Sequence, residues 1–228
     1  MSRYVVGWLA LVAWATVAFS ALERLHPRHR DRPRARRIAL AAGLLGLDVA
    51  IAQVLVHAVD VPGGRVVLGW FVIEVLHYAL HRAMHRVPLL WRYHRLHHDG
   101  VPLTWTTTWY VHPIDAALTA GCSIVAAVMV GAGLPSALWY VVGRRVWTIV
   151  LHANIAWPGS ALDRIVATPA FHARHHREAL APANFASTLP VLDCLFGTYR
   201  GSQATSALAS RSQRRAGRHL GGGPHVGD

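Results

Sequence analysis

Residues Glu74 to Gly100 carry the pattern that is most informative about the fold of this chain, and they read EVLHYALHRAMHRVPLLWRYHRLHHDG. The histidines of this stretch follow helical intervals, first at every fourth position and then in an HxxHH motif: His77, His81, His85, His94, His97 and His98. Side chains at positions i, i+3 and i+4 of an α-helix lie on one face. We therefore expect the HxxHH motif to point three imidazoles at one place, and His81 and His85 to form a further pair.

The HxxHH motif occurs a second time, in FHARHH, which places His172, His175 and His176 on another helix. His112 and His152 lie between the two motifs, so that 11 of the 16 histidines fall in residues 74–113 and 151–177. A pH sensor would also use clustered histidines, but it would not need the same helical spacing twice. The pattern favours two metal ions held by imidazole, and the spacing alone leaves iron, zinc, copper and nickel open.

Cysteine chemistry plays no part in this pattern. The chain has 228 residues and only 2 cysteines, without a CxxC pair, which excludes a disulfide scaffold, an iron–sulfur cluster and a cysteine-based zinc module. Apolar residues make up 53% of the chain and charged residues 15%, yet the net charge is +12 and all 23 basic residues are arginine. A chain that is both apolar and basic is typical of a membrane protein with a basic cytosolic side, or of a nucleic-acid binder.

Five apolar stretches predict membrane-spanning helices. They are Tyr4–Leu22, Ile38–Val59, Val66–Leu80, Ile114–Leu134 and Ser136–Trp157. A cleaved signal peptide is the alternative for the first stretch, and partial insertion is the alternative for the last, since that stretch contains Arg144 and Arg145. We expect Asp48, inside the second stretch, to pair with one of these two arginines.

The positions of the arginines predict how these stretches are oriented across the membrane. The arginine-rich loop 23–37 belongs on the cytosolic side by the positive-inside rule, and each later pair of crossings returns the chain to that side, at residues 82–113 and at 158–228. The predicted fold is an all-α, integral-membrane helical bundle of about four to five spans, with a cytosolic helical cap that carries a His-rich di-metal site. It divides into N-terminal membrane helices with a basic loop (1–65), a His-rich domain (66–200) and a disordered basic tail (201–228).

From residue 66 to residue 200 the chain resembles a known family. The opening stretch, His112-Pro113, LHANIAWPGSALDRIVATPAFHARHH (151–176) and NFASTLPVLDCLFGTYR (184–200) stand in the order typical of the fatty acid hydroxylase/sterol desaturase superfamily of integral-membrane di-iron enzymes. The resemblance implies a catalytic domain with two iron ions. Such a domain uses O2 and external electrons to hydroxylate or desaturate a lipid such as a sterol, a fatty acyl chain or a carotenoid.

Carried over position by position, the resemblance implies the metal ligands His81, His85, His94, His97, His98, His112, His152, His172, His175 and His176, with His112 either a ligand or a neighbour of one. It also implies residues that orient the imidazoles or hold a bridging water, namely Glu74, His77, Asn154, Asn184 and Asp193. Glu74 stands where aspartate is common, and His77 where an aromatic residue is usual. These departures affect the pocket and leave the histidines in place.

The expected partners follow from what the sequence lacks. It has no GxGxxG nucleotide loop and no cysteine cluster, so electrons are expected from a separate donor such as a ferredoxin, a cytochrome or a flavin reductase. A lipid substrate is expected from the membrane. Nucleic acid is not an expected partner, because the basic residues flank the spans. The alternative function is a membrane metal-binding or metal-transport protein without redox catalysis, which would need ionisable residues along its spans.

Overall fold

The protein is described from a computed structural model, which covers residues 3–30, 63–99, 102–132, 134–157, 159, 161–177 and 182–201. Within these ranges the chain forms seven α-helices, two short 3-10 helices and no strand, which confirms the all-α expectation. The α-helices are α1 (Arg3–Leu25), α2 (Gly63–Arg86), α3 (Pro88–His98), α4 (Pro113–Met129), α5 (Leu134–His152), α6 (Pro169–Arg177) and α7 (Val191–Leu195); the 3-10 helices are Trp105–Trp109 and Ala161–Arg164.

Four of the five predicted membrane spans overlap described helices, namely α1, α2, α4 and α5. None of the helices in the described parts of the chain combines the length and the apolarity that a membrane crossing requires. The second predicted span, Ile38–Val59 with Asp48, lies outside the described residues, as does the tail from Ser202 onward.

Two prolines set the corners that bring the histidines together. Val87 has extended backbone (φ −96°, ψ 115°), as expected for a residue before proline, so α2 ends there and α3 begins at Pro88. Pro113 begins α4 in the same way, and the His112 side chain caps that helix by accepting a hydrogen bond from the backbone N–H of Ile114 (3.1 Å). Because only one residue separates α2 from α3, the histidines of both helices lie next to the same corner.

The bundle is held together where α2 crosses α4 and α5. Ile73, Ala126, Ala127 and Tyr140 form a buried apolar cluster between these helices. The Tyr140 hydroxyl donates a hydrogen bond to the Arg65 carbonyl (3.0 Å), and its ring lies directly against Gly69 of α2. A Cβ at position 69 would lie 1.7 Å from the Tyr140 oxygen, so the close approach of α2 and α5 requires glycine there.

A buried ion pair links the same two helices to the loop before α7. Arg144 of α5 donates to the Glu74 carboxylate of α2 (3.3 Å) and to the Ser187 hydroxyl (2.8 Å). Glu74 also accepts hydrogen bonds from the backbone N–H and the hydroxyl of Thr188 (3.0 and 2.9 Å). Glu74 is therefore a carboxylate partner of Arg144, and Asp48, the partner expected for Arg144 or Arg145, lies outside the described residues. The Arg145 guanidinium donates to the Thr108 carbonyl (3.2 Å).

The end of α1 and the residues after it are hydrogen-bonded to the loop that follows α5. One oxygen of Glu23 accepts the backbone N–H groups of Trp105 (2.6 Å) and Asn154 (2.8 Å). The Asn154 side chain in turn binds the backbone of Arg28 and His29, with three contacts of 2.8–3.1 Å. A single antiparallel bridge between residues 27 and 155 completes the connection. Residues 23–29 thus lie beside the segment that follows His152.

We predict that Gly69→Ala lowers the thermal unfolding temperature, because its methyl group forces Tyr140 away from α2; overpacking of this kind costs about 1–3 kcal/mol. Gly121→Ala is the matched control, since a Cβ there meets nothing within 4 Å. That substitution in α4 should be neutral or stabilising by up to about 1 kcal/mol. Equal unfolding temperatures for the two purified variants would contradict the close approach at Gly69.

Candidate metal centre

Nine of the ten histidines predicted as ligands meet in two groups. Within each group, one ring nitrogen of every member lies within 4.8 Å of the others. The first histidine group consists of His81, His85, His94, His98 and His175, and the second of His97, His152, His172 and His176. Eight of the nine side chains are buried, and His85 is half-buried.

Each HxxHH motif contributes to both groups. In α3, His94 and His98 belong to the first group and His97 to the second; in α6, His172 and His176 belong to the second and His175 to the first. The expectation that one motif points three imidazoles at one place is therefore wrong. At 3.6 residues per turn, position i+4 lies about 40° from position i, whereas i+3 lies about 60° away on the other side.

The division of the motifs places the two groups side by side. The rings of His98 and His176, from different groups, stack with their centroids 4.5 Å apart, and those of His97 and His98 are 6.0 Å apart. Two helices thus serve both groups. Helix α2 completes the first group and the end of α5 completes the second.

Hydrogen bonds fix the orientation of five of these rings through Nδ1. The acceptors are oxygens: Phe185 carbonyl for His81 (2.7 Å), Ala183 carbonyl for His175 (2.7 Å), Thr148 carbonyl for His152 (2.7 Å), Tyr110 carbonyl for His97 (3.3 Å) and Asp115 carboxylate for His94 (2.8 Å). A carbonyl oxygen can only accept, so Nδ1 carries the proton in the first four of these rings. In a neutral imidazole the other nitrogen, Nε2, then presents a bare lone pair.

Several of these lone pairs face one another at short range. The Nε2 atoms of His97 and His152 are 3.0 Å apart, although both rings have their proton on Nδ1. Neither nitrogen can donate to the other, so this contact is not a hydrogen bond between neutral rings. Two nitrogens about 2.1 Å from one metal ion and about 90° apart are separated by about 3.0 Å. A cation shared by the two rings accounts for the contact.

The same short separation recurs within both groups. His172 Nε2 lies 3.0 Å from His152 Nε2, and His176 Nε2 lies 3.1 Å from His172 Nε2. In the first group, His85 Nε2 lies 3.2 Å from His175 Nε2. The nitrogens of each group are thus already spaced as neighbouring ligands of one ion would be.

Burial keeps these imidazoles neutral. The pKa lies well below the ordinary 6.5 for four of them, with burial as the largest cause and the charge of neighbouring imidazoles next: His97, His172, His175 and His176. Since a metal ligand must be unprotonated, a lowered pKa leaves the lone pairs available at neutral pH.

Unsatisfied polar atoms also fit metal binding. Within the described residues, five buried nitrogens of the two groups have no hydrogen-bond partner: His94 Nε2, both nitrogens of His98, His172 Nδ1 and His176 Nδ1. A buried polar atom without a partner costs about 1–3 kcal/mol. Nine clustered imidazoles with unpaired nitrogens therefore fit two metal ions, one in each group. An all-nitrogen ligand set suits iron, zinc, copper or nickel.

His112 lies outside both groups. Its Nδ1 caps α4, and its ring lies 4.8 Å from that of Tyr93. The proline that follows it makes this residue the N-cap of a helix, and that geometry engages one of its nitrogens locally. The structure thus gives His112 a capping contact and does not bring it to the other nine.

Asn184 and Asp193 support the first group through the backbone between Ala183 and Ala186. Asp193 accepts the backbone N–H groups of Phe185 and Ala186 (both 2.8 Å) and the hydroxyl of Thr198 (2.6 Å). Asn184 has a left-handed backbone (φ 59°), and its side chain accepts from the Arg200 N–H (2.7 Å). These contacts hold the carbonyls of Ala183 and Phe185, which in turn orient His175 and His81. Burial raises the pKa of Asp193, and its hydrogen bonds oppose that rise.

The other three residues expected near the imidazoles have different contacts. The hydrogen bonds of Glu74 go to Arg144, Ser187 and Thr188. The amide of Asn154 is engaged with residues 28 and 29. The ring of His77 lies 5.7 Å from that of His81, and its Nδ1 has no hydrogen-bond partner in the described part of the chain.

Asp115 is the residue that sequence reasoning missed. Its carboxylate accepts from His94 Nδ1 at 2.8 Å, and both side chains are buried. The sequence shows only an acidic residue in the first turn of α4. Such a residue is equally well explained by a favourable interaction with the helix dipole. Its partner lies 21 residues earlier on another helix, so only the fold reveals the pair.

The chain is similar to several proteins that are named as lipid-modifying enzymes. The sequence model of the fatty acid hydroxylase family matches residues 66–198. Ornithine lipid hydroxylase from Rhizobium tropici is 32% identical over 145 residues, which cover 63% of this chain and 44% of that protein. Methylsterol monooxygenase from Aspergillus fumigatus is 31% identical over 159 residues, covering 66% and 52%.

A very-long-chain aldehyde decarbonylase from Oryza sativa subsp. japonica is 29% identical over 158 residues, which cover 68% of this chain and 58% of that protein. The matched region therefore spans about half the length of these relatives. No solved structure gives a significant match to the chain.

The separation into two groups predicts how metal is lost from single variants. We expect His81→Ala, in the first group, and His152→Ala, in the second, each to lose about one of two metal ions per chain. His112→Ala should retain both. The measurement is elemental analysis of the purified proteins by mass spectrometry. Full metal content in both group variants, or loss in His112→Ala, would show that the groups are not the binding sites.

The Asp115–His94 contact predicts a weaker first site in Asp115→Asn. Loss of a hydrogen-bond partner behind a ligand imidazole typically weakens metal affinity by about 10–100-fold. Titration with a competing chelator should release one ion from this variant at a lower chelator concentration than from wild type. Thr119→Val, which removes only a longer hydrogen bond to the same carboxylate (3.4 Å), is the control and should release its metal as wild type does.

Proposed function

Because the chain belongs to the fatty acid hydroxylase family, we propose that it is a membrane-bound, O2-dependent, non-haem di-iron oxidoreductase that hydroxylates or desaturates a lipid. The observation that carries the proposal is the pair of adjacent imidazole groups whose nitrogens face one another at 3.0–3.2 Å. Iron with open coordination positions is suited to activating O2, whereas zinc has no redox chemistry, and the family resemblance favours iron over copper.

The relatives support a lipid as the substrate. By their names, they act on an ornithine lipid, on methylsterols and on very-long-chain aldehydes. Two of the three names describe the insertion of oxygen, as hydroxylase and monooxygenase. We therefore rank hydroxylation ahead of desaturation for this chain, with a sterol, a fatty acyl chain or a carotenoid as candidate substrates.

The chain's own residues have three tasks in such a reaction. The two histidine groups would hold two iron ions, and these would supply the reduction of O2 and the oxidation of a C–H bond. The hydrogen bonds at Nδ1 orient the imidazoles before metal binds, so little reorganisation is needed afterwards. The buried cluster of Tyr78, Leu151, Phe171, Phe185 and Leu192 packs beside the histidines and excludes bulk water from them.

Electrons and location complete the proposal. We infer a separate electron donor, such as a ferredoxin, a cytochrome or a flavin reductase, because the sequence carries neither a nucleotide-binding loop nor a cysteine cluster. We also propose that the apolar stretches anchor the chain in a membrane, with both histidine groups facing the cytosol. The basis is the placement of the arginines: those in residues 24–37, 82–95 and 164–218 would border one side, whereas the loop on the other side carries only Arg65.

The proposed function predicts iron, a lipid product and a need for reductant. Purified wild-type protein should contain two iron ions, and a host that expresses it should contain an oxygenated lipid absent from hosts expressing His175→Ala. With a reductase system added, the purified enzyme should consume O2 in the presence of that lipid; without reductant it should not. Zinc or nickel in place of iron, together with metal uptake into vesicles, would instead favour the metal-transport alternative.

A further inference from the structure

A cavity of about 370 Å³ opens beside the second histidine group. Its lining residues are Arg28, His29, Pro102, Leu103, Ala153, Asn154, Ala173, His176 and Arg177. The volume falls at the lower end of the range of small-molecule sites, about 300–1,000 Å³. The cavity touches one of the candidate metal ligands, His176, and so connects that group to the surface.

The lining changes character from the inside to the outside. Five lining residues are buried: Leu103, Ala153 and Ala173, which are apolar, and Asn154 and His176. Arg28 is half-buried and Arg177 is exposed, so the two guanidinium groups lie towards the mouth. A cavity with an apolar interior and a cationic mouth matches a molecule with a hydrocarbon body and an anionic end.

Arg28 and Arg177 have no carboxylate partner among the described residues. The nearby Arg174, in contrast, pairs with Asp163 at 2.7 Å. Burial, followed by the positive charges of Arg177 and Arg174, lowers the pKa of Arg28. Two like charges held close together are relieved by an anion between them.

The backbone beneath Arg28 is fixed. Its N–H lies 3.1 Å from the Asn154 side-chain oxygen and 3.3 Å from the Asn154 carbonyl, and the neighbouring residue 27 bridges to residue 155. The Glu23 carboxylate also accepts a hydrogen bond from the backbone N–H of Asn154 (2.8 Å). The fold therefore positions Arg28 at the mouth of the cavity. Its backbone partner, Asn154, lies two residues after His152 in the sequence.

We propose that this cavity binds the anionic end of an amphiphilic substrate, with a carboxylate or phosphate between Arg28 and Arg177 and the hydrocarbon directed towards His176. The inference rests on the proposed function, because it names the class of lipid that would reach the histidine groups. Charge-assisted hydrogen bonds from arginine to such oxyanions are among the strongest polar contacts in proteins.

Binding of probes that differ only in the head group tests the proposal without turnover. A fluorescent polyene fatty acid is bound to the purified full-length protein in neutral detergent and displaced by dodecanoate, dodecyl phosphate or dodecanol. We expect the anionic competitors to displace it at concentrations about tenfold lower than dodecanol requires. Displacement by dodecanoate alone assigns a carboxylate ligand; displacement by dodecyl phosphate alone assigns a phosphate.

Variants connect this preference to the two arginines. Arg28→Gln and Arg177→Gln should each weaken the binding of the anionic competitors about five- to tenfold. Their affinity for dodecanol and their unfolding temperatures should equal those of the wild type. Arg28→Lys should retain most of the affinity. Arg92→Gln, at an exposed arginine outside the cavity, is the matched control with the same change of charge. Equal displacement by all three competitors, or an equal loss in Arg92→Gln, would overturn the proposal.

The binding test and the test of function fail independently. A protein that oxidises a lipid but binds dodecanol as well as dodecanoate overturns the head-group site and leaves the proposed function standing. A protein that binds the acid through both arginines but yields no oxidised lipid supports the site and contradicts the oxidoreductase.

Discussion

The structure depends on imidazole nitrogens that cannot share a proton yet lie in contact. His97 and His152 each commit Nδ1–H to a carbonyl, and their Nε2 atoms are then 3.0 Å apart. Without a cation, this contact brings two lone pairs together in a buried site where water cannot separate them. A metal ion bound by both rings would remove this repulsion. The surroundings of the histidines hold the rings rigidly in this arrangement.

This rigidity comes from layers of contacts behind the rings. His81 and His175 are oriented by two carbonyls of one short segment, and Asp193 fixes that segment through its N–H groups. The loop that continues from it is bound by Glu74, whose charge is balanced by Arg144. Breaking a buried ion pair leaves an uncompensated charge, so this pair constrains α2, α5 and the loop together.

Local spacing predicted that the chain is helical and that the histidines of the two motifs lie on helix faces, because both follow from a period of 3.6 residues. It could not predict how the side chains of each HxxHH motif divide between the two groups, since that depends on where the second histidine group lies relative to α3 and α6. It also could not find Asp115, or Glu74 as the partner of Arg144. Those contacts join residues 21 and 70 positions apart, which the packing of helices determines and local pattern does not.

The family match covers residues 66–198, yet the environment of the second histidine group extends beyond it. Glu23 and Arg28 precede the matched region, and both bind the loop that follows His152. The mouth of the cavity therefore combines Arg28, from before the matched region, with Arg177, from within it. If the proposed head-group site is correct, substitutions in residues 23–29 would alter head-group recognition without altering an imidazole. By their names, the relatives act on chemically different lipids, which a separately variable head-group region would allow.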